Sequence, residues 1–280
     1  MTPVAMSDAA AQRVNAVAAY VPSTADTLVV LPASEHAAFA PLLQHLGPVR
    51  TYDDADDKTV APDTVVFALP PRLPDSADPA ALVTFACESE RFATLCAGLD
   101  RWVALDATSL ADAAPDVLRP LSRDAAEAAQ RFLDWVSAAP RIFRQDGGAF
   151  PLPQTGWETE LGDLSRERMC QAPAGEVFAH FDASQWNGRI MLAHGGMLEL
   201  SAGRVVRGPA WALHKSVCEV GFGLTPAVQS DHRAWGEEAL GSVPLGIGVA
   251  DDVDLAPPTM HSDVLIDPAK FLNRDLWRCF

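Results

Sequence analysis

Thr27-Leu-Val-Val-Leu31, followed at once by Pro32-Ala-Ser34, decides how the first half of the chain is read. An unbroken apolar run of this length, bounded by turn-forming residues, has the signature of a strand buried on both faces. Pro32-Ala-Ser34 then opens a helix with Ser34 as the expected cap, because a hydroxyl there accepts from the free N–H groups of the first turn, and Gly47-Pro48 closes it. Working outward, the strand signal returns in Thr64-Val-Val-Phe-Ala68, Leu82-Val-Thr-Phe-Ala86 and Arg101-Trp-Val-Ala-Leu105. Helical patterns cover Asp8 to Tyr20, Glu88 to Leu99 and Arg123 to Ala138. Strands alternating with helices suit a parallel sheet covered by helices, so the fold class is α/β and residues 1–144 read as a small parallel-sheet α/β domain.

Two breaks interrupt this half. Tyr52-Asp-Asp-Ala-Asp-Asp-Lys58 reads as a solvated acidic loop in preference to a cation site, and Pro70-Pro-Arg-Leu-Pro74 as a rigid linker in preference to a polyproline ligand. From about Arg141 the long helical patterns stop, and Gly, Pro and Trp punctuate short alternating segments, as in an antiparallel sheet. Gln145-Asp-Gly-Gly-Ala149 is the expected pivot, which makes residues 145–280 a β-rich α+β domain. Five of the seven tryptophans (Trp157, Trp186, Trp211, Trp235, Trp277) fall here, and Trp186, Trp211 and Trp235 are expected to wall an apolar peptide cleft.

Composition narrows the function classes. The 280 residues are 49% hydrophobic and 21% charged, which is globular, and the net charge of −16 would be repelled by nucleic acid and by anionic membrane surfaces. No apolar run reaches the roughly 18 residues of a membrane helix and the N-terminus lacks a basic, then apolar start, so a cytoplasmic protein is expected. Cys87, Cys96, Cys170, Cys218 and Cys279 are odd in number and widely spaced, as reduced packed thiols are. There is no G-x-S-x-G elbow, H-E-x-x-H helix or phosphate-binding loop. Gly221-Phe-Gly223 and Gly246-Ile-Gly248 are only fragments of a dinucleotide loop.

Three segments of the second half each set a carboxylate or imidazole beside glycine or proline at an expected strand end: Ala172-Pro-Ala-Gly-Glu-Val-Phe178, Cys218-Glu-Val-Gly-Phe-Gly-Leu-Thr-Pro226 and Met260-His-Ser-Asp263. In the last, an i, i+2 spacing on an extended chain points His261 and Asp263 to one face, about 7 Å apart. Glu176, Glu219, His261 and Asp263 are chemically suited to a divalent metal with oxygen-rich coordination. His180, His194, His214 and His232 stand in no motif and read as packed or solvated side chains.

The wording and order of these segments resemble the thermophilic metallo-aminopeptidase family, a two-metal peptidase group, and its relatives that open dihydroxypyridine rings with iron. Pro173-Ala-Gly-Glu-Val-Phe178, followed by Asn187-Gly188, looks like the first glutamate motif of that family, and Glu219-Val-Gly-Phe-Gly-Leu-Thr-Pro226 like the second. Glu237-Glu-Ala-Leu-Gly-Ser-Val-Pro-Leu-Gly-Ile-Gly248 resembles a segment that carries a metal-binding histidine, and Met260-His-Ser-Asp263 matches the terminal H-x-D. The similarity runs from about Gly162 to Pro268. It implies an aminopeptidase-like second domain, with Glu176, Glu219, His261 and Asp263 at metal positions and a homodimer as the default assembly.

One departure governs the functional expectation. Pro244 stands where the family has its histidine, and proline has neither an imidazole nor a backbone N–H. The family's nearby tyrosine also has no counterpart, since the chain contains only Tyr20 and Tyr52. The four survivors suffice for one metal at most. The expectation is therefore a non-catalytic, cofactor-free peptide-binding protein on a degenerate scaffold. Its Ala-rich, Lys-poor composition suits a high-GC bacterial genome, and holding a precursor peptide for other enzymes of natural-product biosynthesis is one role such a scaffold could serve. The alternative is a one-metal (Zn, Mn or Fe) aminopeptidase, amidase or ring-opening dioxygenase, with His261, Asp263 and Glu176 as ligands and Glu219 as ligand or general base. A shifted register that lets Asp251 or Asp252 replace the lost histidine would also rescue an enzyme.

Overall fold

The computed structural model describes residues 7–23, 25–52, 54, 60–61, 64–68, 99, 101–105, 114–121, 123–164, 169–193, 195–225, 240–248 and 261–266, and for His261 and Ser262 it describes the backbone. The chain divides into two compact units: Met1–Arg72, Cys87–Leu121 and Glu160–Ala174 form the first, and Leu73–Ala86, Ser122–Thr159 and Gly175–Phe280 the second. The division is discontinuous, where the sequence reading drew one cut at 144/145. The expected strand at Leu82 to Ala86, the expected helix at Glu88 to Leu99 and the proline-rich linker at Pro70 to Pro74 lie largely or wholly outside the described residues, as does most of the acidic loop.

In the first unit, β1 (Asp26–Leu31), β2 (Val49–Thr51), β3 (Thr64–Ala68), β4 (Trp102–Leu105) and, much later in the chain, β8 (Met169–Ala172) form a parallel sheet in the order β2-β1-β3-β4-β8. Val29, Val30, Leu31 and Val65 to Ala68 are fully buried, as a strand covered on both faces requires. Fully burying one such side chain stabilises the fold by about 1.5–3 kcal/mol. Leu28, Val30, Tyr52, Val66, Ala68 and Leu99 form one core cluster, with Val60 and Trp102 against it.

Helix α1 (Asp8–Ala18) starts on Ser7, whose hydroxyl accepts from the Ala10 N–H at 3.3 Å. Helix α2 (Ala33–Leu43) corrects the expected cap. Pro32, extended at ψ 145°, is the residue that precedes the first turn, so Ser34 lies inside the helix and no side chain caps it. The unexpected element is β8, whose Cys170 side chain is fully buried. The N–H of Gln171 is held by the Glu160 carboxylate and that of Ala174 by the Tyr20 hydroxyl at 3.1 Å.

Among the described residues of the second unit, α3 (Arg123–Ala138) comes first, where a helix was expected, and it buries Ala125, Ala128, Ala129, Phe132 and Val136 along one stripe. Strands β5 (Ile142–Gln145) and β6 (Gly148–Pro151) form a hairpin. Its turn is Asp146-Gly147, with φ of 45° and 81°, a conformation that glycine adopts without strain and aspartate tolerates. Gln145-Asp-Gly-Gly-Ala149 is therefore a tight turn within this unit, not a pivot between units.

The remaining strands are β7 (Trp157–Glu160), β9 (Glu176–His180), β10 (Gly188–Met191), β11 (Met197–Ser201), β12 (Arg204–Arg207), β13 (Ser216–Gly223), β14 (Pro244–Gly248) and β15 (His261–Leu265). They make an eight-stranded sheet, β10-β11-β12-β13-β14-β15, with β9 added to β13 and β7 to β9. β14 runs along one edge of β13. On the other edge β12 pairs at Ser216, and β9 takes over from Glu219 to Gly223. One face of this sheet is apolar. Phe222 of β13 packs on Phe132 of α3 at 4.6 Å between ring centroids, with Phe143 at 5.7 Å and Trp157 at 5.8 Å. Among the described residues, no helix is long and apolar enough to cross a membrane.

Candidate functional site

The other face of β13 carries the chemistry. On this strand Glu219, Gly221 and Gly223 alternate with Val220 and Phe222, so the residues that do not face the aromatic core are a carboxylate and two glycines. Strand pairing extends the pattern sideways. His180 of β9, Glu219 of β13, Gly246 of β14 and Asp263 of β15 lie opposite one another in a single transverse row. By the same parity Glu176, Phe178, Pro244, Gly248 and the backbone position of His261 belong to this face. Three of the four residues expected from sequence, Glu176, Glu219 and Asp263, are thus buried (4%, 6% and 2% exposed) on one face of one sheet, and His261 stands at the matching register position.

A bulge sets this alignment. Val217 pairs with Ile247 and Glu219 with Gly246, so Cys218 is the extra residue on β13, and its thiol reaches the Gly246 carbonyl at 3.4 Å. A bulge re-aims the residues after it, and here it brings Glu219 into the row of His180 and Asp263.

His180, which the sequence reading named and set aside as a packed or solvated side chain, stands in this row. Its Nδ1 lies 3.0 Å from Glu219 Oε2, with side-chain exposures of 22% and 9%, and its ring meets Phe178 edge-on at 5.5 Å. The signal was present in Glu176-Val-Phe-Ala-His180, where strand alternation puts residues 176, 178 and 180 on one side. His214 lies in the turn before β13, with a φ of 68° and its carbonyl held by Arg204 at 2.8 Å. His194 and His232 are outside the described residues.

Gly221 is where two backbones and a carboxylate crowd together. A Cβ added there would land on Oε1 of Glu176 and lie 2.9 Å from the Pro244 ring. Glu176 pairs with Gly223 but leans along its strand to lie over Gly221, so its carboxylate occupies the space that a side chain would fill, beside the Pro244 ring.

Pro244, at the position where the resemblance expects an imidazole, packs its ring near Glu176, and Glu219 is engaged by His180. Asp251 and Asp252, the substitutes considered above, lie outside the described residues.

Of the three tryptophans, Trp186 is placed differently from expectation. Trp186 is 1% exposed, donates from Nε1 to the Pro151 carbonyl at 2.8 Å and packs against Phe150 and Phe181, so it is a core residue and no cleft wall. Trp211 lies in the β12–β13 connection with the Lys215 ammonium 5.6 Å from its ring centroid, and Trp235 is outside the described residues. A shallow groove beside α2, lined by His36, Ala40, Gln44 and Pro48, belongs to the first unit and has no carboxylate in its lining.

These elements define a mixed α/β fold with a parallel sheet in one unit and a large antiparallel sheet in the other. The chain is similar to the solved structure of wild-type AmpT from Thermus thermophilus, with a TM-score of 0.53 over 91% of this chain and 92% of that one, at 10% sequence identity. At that identity the likeness concerns the fold and leaves activity open. No protein-family model and no curated protein matches the chain in sequence.

Proposed function

We propose that this chain is a non-catalytic peptide-binding protein, a member of the thermophilic metallo-aminopeptidase group whose metal centre has degenerated. The observation that carries this reading is the packing of Glu176 over Gly221 beside Pro244. There a carboxylate faces a hydrocarbon ring at the position where the motif calls for a second ligand. The scaffold's strand edges and apolar side pockets, by which extended peptides are held, do not depend on an ion. The precursor-peptide role and the bacterial source rest on composition alone and enter only as the first class of ligand to try.

A second reading, a one-metal aminopeptidase, amidase or ring-opening dioxygenase, is favoured by the shared row of His180, Glu219 and Asp263. Elemental analysis with calorimetry separates the two, on protein purified without a metal-affinity tag and then incubated with zinc, manganese or ferrous iron. The expected result is no stoichiometric metal. About one tightly held ion per chain, lost in His261→Ala, would overturn the binding-protein reading.

A further inference from the structure

The β10–β12 end of the large sheet has a charge opposite to that of the molecule. Between Ala183 and Val217 the chain carries Arg189, Arg204, Arg207 and Lys215 against Glu199 alone, in a protein of net −16. Pairing places most of these charges on one surface. Ile190, Leu198, Leu200 and Val205 are buried on the inner face, while Arg189, Glu199 and Arg207 form one outward transverse row and Arg204 lies in the next, opposite Ser201.

A second bulge concentrates the patch. Glu199 pairs with Arg207 and Leu200 with Val205, so Val206 is the extra residue, and it projects 49% exposed between two exposed arginines. Half-buried Met191 and Met197 pair on the same outward face. The Arg189–Glu199 contact is long, 3.8 Å at side-chain exposures of 54% and 35%, and one carboxylate in a row with two guanidiniums leaves the row cationic.

We propose that this face docks an acidic protein segment, with carboxylates gripped by Arg204 and Arg207 and an apolar side chain set against Val206. Guanidinium forks match carboxylates in two-point geometry, and an exposed Val flanked by arginines, with a Met pair at one end, has the composition of a protein interface. The charge of the rest of the chain opposes a polyphosphate or an anionic bilayer, which would lie against far more of the molecule than this patch. Arg204 shares a transverse row with Ser216, Gly248 and His261, so the patch is the exposed, cationic end of the sheet face that carries Glu219, and the inference does not rest on peptide binding at the carboxylates.

The test is fluorescence anisotropy of the full chain with a synthetic peptide alternating glutamate and leucine. A lysine-for-glutamate peptide, a single-stranded RNA and phosphatidylserine vesicles serve as comparisons. The expected result is salt-sensitive binding of the acidic peptide alone. Binding should weaken by about tenfold or more in R204E/R207E and by a few-fold in V206S, with far-UV circular dichroism unchanged. If the double reversal does not fold, R204Q/R207Q should show the same loss. Equal affinity in wild type and the folded variant, no binding by the folded wild type, or tighter binding of RNA or vesicles would overturn the proposal.

Discussion

The parallel sheet of the first unit and the antiparallel sheet of the second are buried alike but use their burial differently. β3 is buried along its whole length with Val, Phe and Ala on its two faces, whereas β13 is buried from Val217 to Gly223 with aromatic and aliphatic side chains on one face and a carboxylate and glycines on the other. Burying apolar groups on both faces of a strand maximises stability and leaves nothing to react or bind. A buried carboxylate lowers stability unless hydrogen bonds or opposite charges hold it, so β13 shows where stability has been exchanged for chemistry.

The largest effects should come from what the two sheets share. Phe67→Ala in β3 and Phe222→Ala in β13 are each expected to cost about 3–5 kcal/mol in urea unfolding, since both side chains are fully or almost fully buried. A much smaller loss for Phe222→Ala would mean that the aromatic contact with α3 is not the foundation of the site face.

Next in size is Gly221→Ala, which brings a methyl group onto Glu176 and Pro244. It should destabilise by about 1–3 kcal/mol through overpacking, and a crystal structure should show the Glu176 carboxylate displaced. An unchanged melting curve would sink the claim that Gly221 houses that carboxylate. The two ion pairs of the large sheet then give the finest contrast. Glu219→Gln, at the mostly buried 3.0 Å pair with His180, should cost about 1–3 kcal/mol, while Glu199→Gln, at the exposed 3.8 Å pair with Arg189, should stay below about 1 kcal/mol. Equal costs measured by chemical denaturation would erase the distinction between the buried and the exposed end of this face.

The elements legible in sequence were those that local chemistry dictates. The strands at Thr64 and Trp102 and the helix from Arg123 to Ala138 have unbroken apolar runs or a clear helical stripe, and they lie where expected. β8 was not legible because Met169-Cys-Gln-Ala172 earns its place by pairing with Trp102 to Leu105, and no neighbour in the chain announces that partner. Ser34 misled because a hydroxyl near a helix start satisfies the capping pattern whichever residue begins the first turn. Glu176, Glu219 and Asp263 were found from motifs, whereas His180 was visible only to someone counting alternate residues along β9. Trp186 misled for another reason: a large aromatic with a polar edge suits a cleft or a core equally, and the Pro151 carbonyl decided for the core.

The glycines of the carboxylate face impose a direction on its future. At Gly221, Gly223, Gly246 and Gly248 the floor between the acidic side chains is bare peptide, and any substitution there can only add atoms. Point mutation can therefore fill this floor but never deepen it, so the room between the acidic side chains is already the largest that this backbone allows.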